Sequence, residues 1–98
     1  MFIFVEPDEL RSNSRFPSDL EIEKCEGLEE LTGADFVLST SPINPVDDPE
    51  WHIDNHSWFV QRKSGSDMVN FDHLWNGLAR MVKLGVKQSH AVLLSIGS

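Results

Sequence analysis

Apolar residues gather in a few short runs along the chain, and the spacing within each run predicts its element. Phe2-Ile3-Phe4-Val5 is continuous, as a strand buried on both faces would be, and Ala91-Val92-Leu93-Leu94 has the same form near the carboxyl end. Phe36-Val37-Leu38, introduced by Gly33-Ala34-Asp35, predicts another strand ending near Thr40. Trp58-Phe59-Val60 opens a further one, in which alternation puts Trp58, Val60 and Arg62 on one face and Phe59, Gln61 and Lys63 on the other. A helix is predicted where Phe71, Leu74, Trp75, Leu78, Met81 and Val82 recur at steps of three and four. Gly85 lies where that helix would stop, Lys83 and Lys87 suit its carboxyl end, and Asn76-Gly77 weakens its middle.

The polar stretches give the connections. Pro7 stops the first strand, Arg11 to Pro17 reads as loop, and Ser18 to Glu30 is charged and only weakly helical. Ser41 to Asp54 holds three prolines and reads as a loop joining the Phe36 and Ser57 strands into a hairpin. Ser64-Gly65-Ser66 closes the third strand, and Ser66 or Asp67 would cap the helix. A helix between the hairpin and the last strand favours parallel pairing there. The expected fold is α/β: a small mixed sheet with flanking helices, in one compact domain over residues 1–98, without internal repeats.

Composition narrows this picture. With 98 residues and 40% hydrophobic content the chain has one core's worth of material. No apolar run is long enough to cross a bilayer, and Met1 to Val5 lacks the basic lead of a signal peptide. Cys25 is the only cysteine, which excludes an internal disulfide and paired-cysteine zinc sites and fits a reducing, intracellular setting, cytoplasm or nucleus. Charge is polarised: residues 1–50 carry 13 acids against 3 bases, residues 51–98 only 3 acids against 5 bases. The acidic total argues against coating nucleic acid by electrostatics alone, yet it leaves room for a local basic site. Glu21, Glu23, Glu26, Glu29 and Glu30 read as a solvated face, or as an acidic surface for a protein partner.

The chemistry collects around the third strand. Gln61 and Lys63 point the same way, Asp35 precedes the other strand of the hairpin near their level, and Glu6 ends the first strand on the same rim. Alone, each has an ordinary role: Lys63 and Arg62 as cations beside a turn, Asp35 as a turn residue, Glu6 before a proline. His52, Asp54 and His56 alternate but fall in the proline-rich loop, and His73 and His90 read as helix-surface and strand-opening residues. Trp51, Trp58 and Trp75 read as packing residues.

Together, Phe4-Val5-Glu6, Gly33-Ala34-Asp35-Phe36 and Val60-Gln61-Arg62-Lys63 with Asp67 resemble the nuclease domain of the XPF type, within the restriction-endonuclease-like PD-(D/E)XK superfamily. The amphipathic helix at Phe71 to Leu84 and the apolar strand at Ala91 to Ile96 extend the resemblance over nearly the whole chain. This chain departs from the pattern in having Gly33-Ala34-Asp35 for Gly-Asp, Gln61 for the usual glutamate, and its end at Gly97-Ser98, where the family domain usually continues.

The resemblance implies a restriction-endonuclease-like fold and metal-dependent hydrolysis of phosphodiester bonds in DNA, branched or structured DNA included. Mg2+ or Mn2+ would be held by Glu6, Asp35 and Gln61, and Lys63 would orient the attacking water. Arg62 and Asp67 would support the local structure or the DNA backbone. It also implies pairing through helix surfaces as a homodimer, with a protein partner able to supply DNA binding. The alternative it carries is a nuclease fold that has lost catalysis and serves as a dimerisation or protein-interaction module.

Overall fold

The computed structural model describes residues 1–11, 19–64, 71–87 and 90–96, with side chains for all of these except 10, 11, 63, 64, 71–75 and 93–96. In chain order the elements are β1 (Phe2–Val5), α1 (Pro7–Arg11), β2 (Glu21–Lys24), α2 (Leu28–Thr32), β3 (Phe36–Ser39), α3 (Pro49–Asp54), β4 (Trp58–Ser64), α4 (Phe71–Leu84) and β5 (Ala91–Ile96). The strands form one mixed sheet in the order β2-β1-β3-β4-β5. β1 runs antiparallel to β3 and β3 antiparallel to β4, while β2 and β5 join the two sides in parallel. The expected α/β class, the hairpin pairing of the Phe36 and Ser57 strands, and the parallel last strand are all present.

Alternation along the strands divides the apolar residues between the two faces. Phe4, Val37 and Phe59 lie on one, packed with Cys25, Leu28 and Val86 and with Met81 of α4. Ile3, Val5, Phe36 and Val60 lie on the other, against Leu20, Leu38 and Val92. Phe4 and Phe59 are fully buried, and each such aromatic contributes about 1.5–3 kcal/mol of transfer free energy. Cys25 donates to Asn44 Oδ1 at 3.3 Å, and burial pushes its thiol up to about 11, so it is an inert core group.

Two connections differ from the sequence reading. Glu21 to Lys24, read as weakly helical, is an edge strand whose four residues are all exposed. Its ladder with β1 outweighs the low strand propensity of Glu and Lys. The segment Ser41 to Asp54, read as loop, ends in the helix α3, where Pro49 occupies the first turn and Asp48 Oδ1 accepts from the Trp51 N–H at 3.1 Å. The loop assigned to Arg11–Pro17 falls almost entirely outside the described residues. Trp58 is exposed and tilted against His90, whose ring stacks on His56, while the Trp75 side chain is outside the description.

The turn before β4 is held by a buried polar chain. His52 Nε2 lies 2.6 Å from the Ile43 carbonyl and Nδ1 lies 2.7 Å from Ser57 Oγ. A carbonyl only accepts, so Nε2 carries the proton and Nδ1 accepts from the Ser57 hydroxyl, which lies 3.2 Å from Ser39 Oγ. Asp54 and His56 are exposed and do not converge with His52.

Burial lowers the His52 pKa below its ordinary 6.5, against the opposing pull of the Ile43 carbonyl and Asp48. The neutral ring is therefore the folded form: its contribution to stability is whole above 6.5 and is lost as pH falls below that value toward the lowered one. Urea titrations on either side of 6.5 should show a drop in stability on the acid side that is smaller in His52→Gln. Ser57→Ala, which strands Nδ1, should cost about 1–3 kcal/mol above 6.5.

Candidate functional site

Three strands end together at one rim. The β1–β3 register pairs Val5 with Phe36, and the Glu6 N–H donates to the Asp35 carbonyl at 3.2 Å, so Glu6 comes level with Asp35. The β3–β4 register pairs Phe36 with Val60, and the Asp35 N–H donates to the Val60 carbonyl at 2.8 Å, which brings Asp35 level with Gln61. Glu6, Asp35 and Gln61 thus stand side by side on adjoining strands, as the sequence spacing predicted. Lys63 has its backbone in β4 opposite Ser95, but its side chain and the whole of Asp67 lie outside the described residues.

Asp35, Glu6 and Arg62 are each held by a specific partner. Asp35 is buried and its Oδ2 accepts from the Arg62 N–H at 2.7 Å, replacing a ladder bond where β3 stops. Glu6 Oε1 accepts from the Glu29 N–H at 2.7 Å. It thereby caps the first turn of α2, where the N-cap Gly27 offers no side chain. Arg62 Nη1 meets Glu9 Oε2 of α1 at 3.0 Å, so this cation anchors α1 to the second face of the sheet.

Gln61 is 1% exposed, with its amide nitrogen against Gly77 of α4 and its Oε1 buried without a hydrogen-bond partner. A Cβ on Gly77 would overlap that amide nitrogen, and one on Gly33 would overlap the Gly77 carbonyl. Gly33 also ends α2 in the left-handed region, at φ 80°. By propensity alone Gly77 weakens the middle of the helix; in the fold it is the notch that receives Gln61. Its signal was a glycine in an otherwise regular amphipathic helix.

Beside the rim, Glu6, Asp8, Glu29 and Glu30 line an open hollow with Gly27 and Arg80, whose Nη1 donates to the Glu29 carbonyl at 3.4 Å. The surface attracts cations and repels bare phosphate. Among the described residues, no three His, Cys, Asp or Glu side chains converge on a point that could hold a metal ion. The oxygens at the rim are hard donors, suited to magnesium or manganese more than to zinc or copper.

No family model, curated protein or solved structure matches the chain.

The tight approach of α4 makes a direct prediction. Gly77→Ala gains about 1 kcal/mol of helix propensity but meets an overpacking cost of roughly 1–3 kcal/mol, so net destabilisation should appear in denaturant titration. In a Gln61→Ala background the amide is gone, and the same substitution should be cheaper by about 1 kcal/mol, a coupling read from the double-mutant cycle.

Proposed function

We propose that the rim formed by Glu6, Asp35 and Gln61 is the site of a metal-dependent hydrolysis of phosphodiester bonds in DNA. The observation that carries this reading is the side-by-side placement of the three residues on adjoining strand ends. It is supported by the order of elements: an acid-terminated strand, a hairpin, an amphipathic helix and a parallel apolar strand, the series that the XPF-type, restriction-endonuclease-like resemblance implies.

A hard cation fits the donors in kind, because a buried Gln61 oxygen without a protein partner stands beside two carboxylate residues. When bound there, magnesium or manganese would polarise the phosphodiester and lower the pKa of a water molecule. Asp35 and Glu6 would hold it with carboxylate oxygens, kept in place by the Arg62 and Glu29 N–H groups. Gln61 would contribute a neutral carbonyl oxygen, fixed in orientation by Gly77. Lys63, two residues further along β4, takes from the resemblance the role of orienting the water and offsetting charge on the phosphate. Water oxygen forms the new bond to phosphorus, the bond to the leaving sugar oxygen breaks, and the leaving oxygen takes a proton.

A second reading is favoured by one specific observation. Both carboxylates already hold backbone N–H groups, and the position of the usual acid is an amide, which suits a silent fold acting as a dimerisation or protein-interaction module.

The test compares cleavage of linear, nicked and branched DNA in Mg2+ and in Mn2+. Asp35→Asn is the informative variant, since the amide oxygen still accepts from Arg62 N–H while the anionic ligand is lost. Under the nuclease reading wild type cleaves only with the cation, and Asp35→Asn and Lys63→Ala lower the rate by about 100-fold or more. Folded wild type that cleaves none of these DNAs, with Gln61→Glu also silent, would overturn the nuclease reading and favour the silent fold.

A further inference from the structure

Half of the backbone groups of β2 are unused by the sheet. The Glu21 and Cys25 N–H groups donate to the Met1 and Val5 carbonyls at 3.0 and 2.9 Å, so the peptide groups of every second residue from Glu21 turn toward β1. Those of Ile22 and Lys24 turn the other way, and among the described residues no strand pairs with that side. All four side chains of β2 are exposed, Ile22 at 46%. An edge of this kind is a template for a further strand.

We propose that the outer edge of β2 receives an extended basic segment of another protein, added antiparallel, whose side chains run in the order acid, base, apolar, base. Neither reading of the rim is needed for it. In an antiparallel pair the strands exchange both hydrogen bonds at Ile22 and again at Lys24. Glu21 and Glu23 then fall at the intervening positions, where opposed side chains come closest. A lysine or arginine at each of those positions meets a glutamate on one face of the sheet. On the other face, the side of Ile3 and Val5, an apolar residue covers Ile22 and an acid meets Lys24. From the amino end of the partner, the residues opposite Lys24, Glu23, Ile22 and Glu21 give the stated order.

Charge selects this occupant over others. The chain carries a net charge of −8, which draws a basic segment and repels an acidic one. A second copy does not fit. A two-fold axis normal to the sheet pairs residues of equal parity, and every such register across β2 sets Glu21 or Glu23 against a glutamate, or Lys24 against Lys24. Parallel addition is less stable per residue and lacks the close pairs at the glutamates. Main-chain bonds at Ile22 and Lys24 thus supply the attachment, and the alternating charges supply the choice of partner.

The experiment titrates a short capped peptide with Glu-Lys-Val-Lys at its centre into the full chain, followed by amide NMR and hydrogen exchange. The expected result is a Kd of about 1 mM or tighter, with protection gained at the Ile22 and Lys24 amides. Methylating the valine nitrogen, which lies opposite Ile22 and donates to it, should raise the Kd at least about tenfold, whereas methylating the lysine nitrogen opposite Glu23, which faces away, should leave it within about twofold. Glu23→Lys should weaken binding about fivefold or more, and a peptide with glutamate in place of the opposing lysine should restore it. Should Glu23→Lys fail to fold, the methylated peptides on the wild type decide. Ile22 and Lys24 amides indifferent to the peptide at about 10 mM, or an equal response to the two methylations, would overturn the proposal. Protection of those amides that rises with the concentration of the chain alone would overturn it in favour of a second copy.

Discussion

The closest constraint in the molecule is the contact of α4 with the sheet at two glycines. Gly77 leaves room for the Gln61 amide, and Gly33 leaves room for the Gly77 carbonyl. A side chain at either place would lift α4 away from β4 or from the end of α2. Met81 is fully buried one turn further along the helix, with Leu78 and Leu84 partly buried, so such a displacement would also loosen the larger core cluster. The Gln61 side chain is held within the same packing, which ties the geometry of the rim to the stability of the fold.

Electrostatics has been arranged around that constraint by using backbone donors. Asp35 and Glu6 lie at positions where a strand ends or a short helix begins, where N–H groups lack partners. Their carboxylates satisfy those donors and keep negative charge at the rim of a strongly acidic half. The same residues therefore shape the backbone and set the local potential.

Much of this was legible in the sequence because it depends on local pattern. Period-two and period-three-to-four spacing located β1, β3, β4, α4 and β5, and the alternation in β4 placed Gln61 with Phe59 and Arg62 with Val60. Strand ends and register alone bring Glu6, Asp35 and Gln61 to one rim. The missed features depend on contacts distant in sequence. β2 is polar and owes its strand form to the β1 ladder, and α3 is a single capped turn and a half inside a proline-rich stretch. The partner of Glu6 is a backbone amide on α2, and the space that Gly77 provides has meaning only once Gln61 and Gly33 lie against it. Such pairings leave no periodic trace.

The position of β1 in the sheet has a consequence for how the chain is made. It is the most continuously apolar of the strands in the first half, and it lies between β2 and β3, both of which follow it in the chain. During synthesis it leaves the ribosome with neither neighbour available, and its antiparallel partner emerges only after β2 and α2. The nascent chain therefore carries an uncovered sticky segment until Phe36–Ser39 arrives, which is the interval in which a chaperone has something to hold.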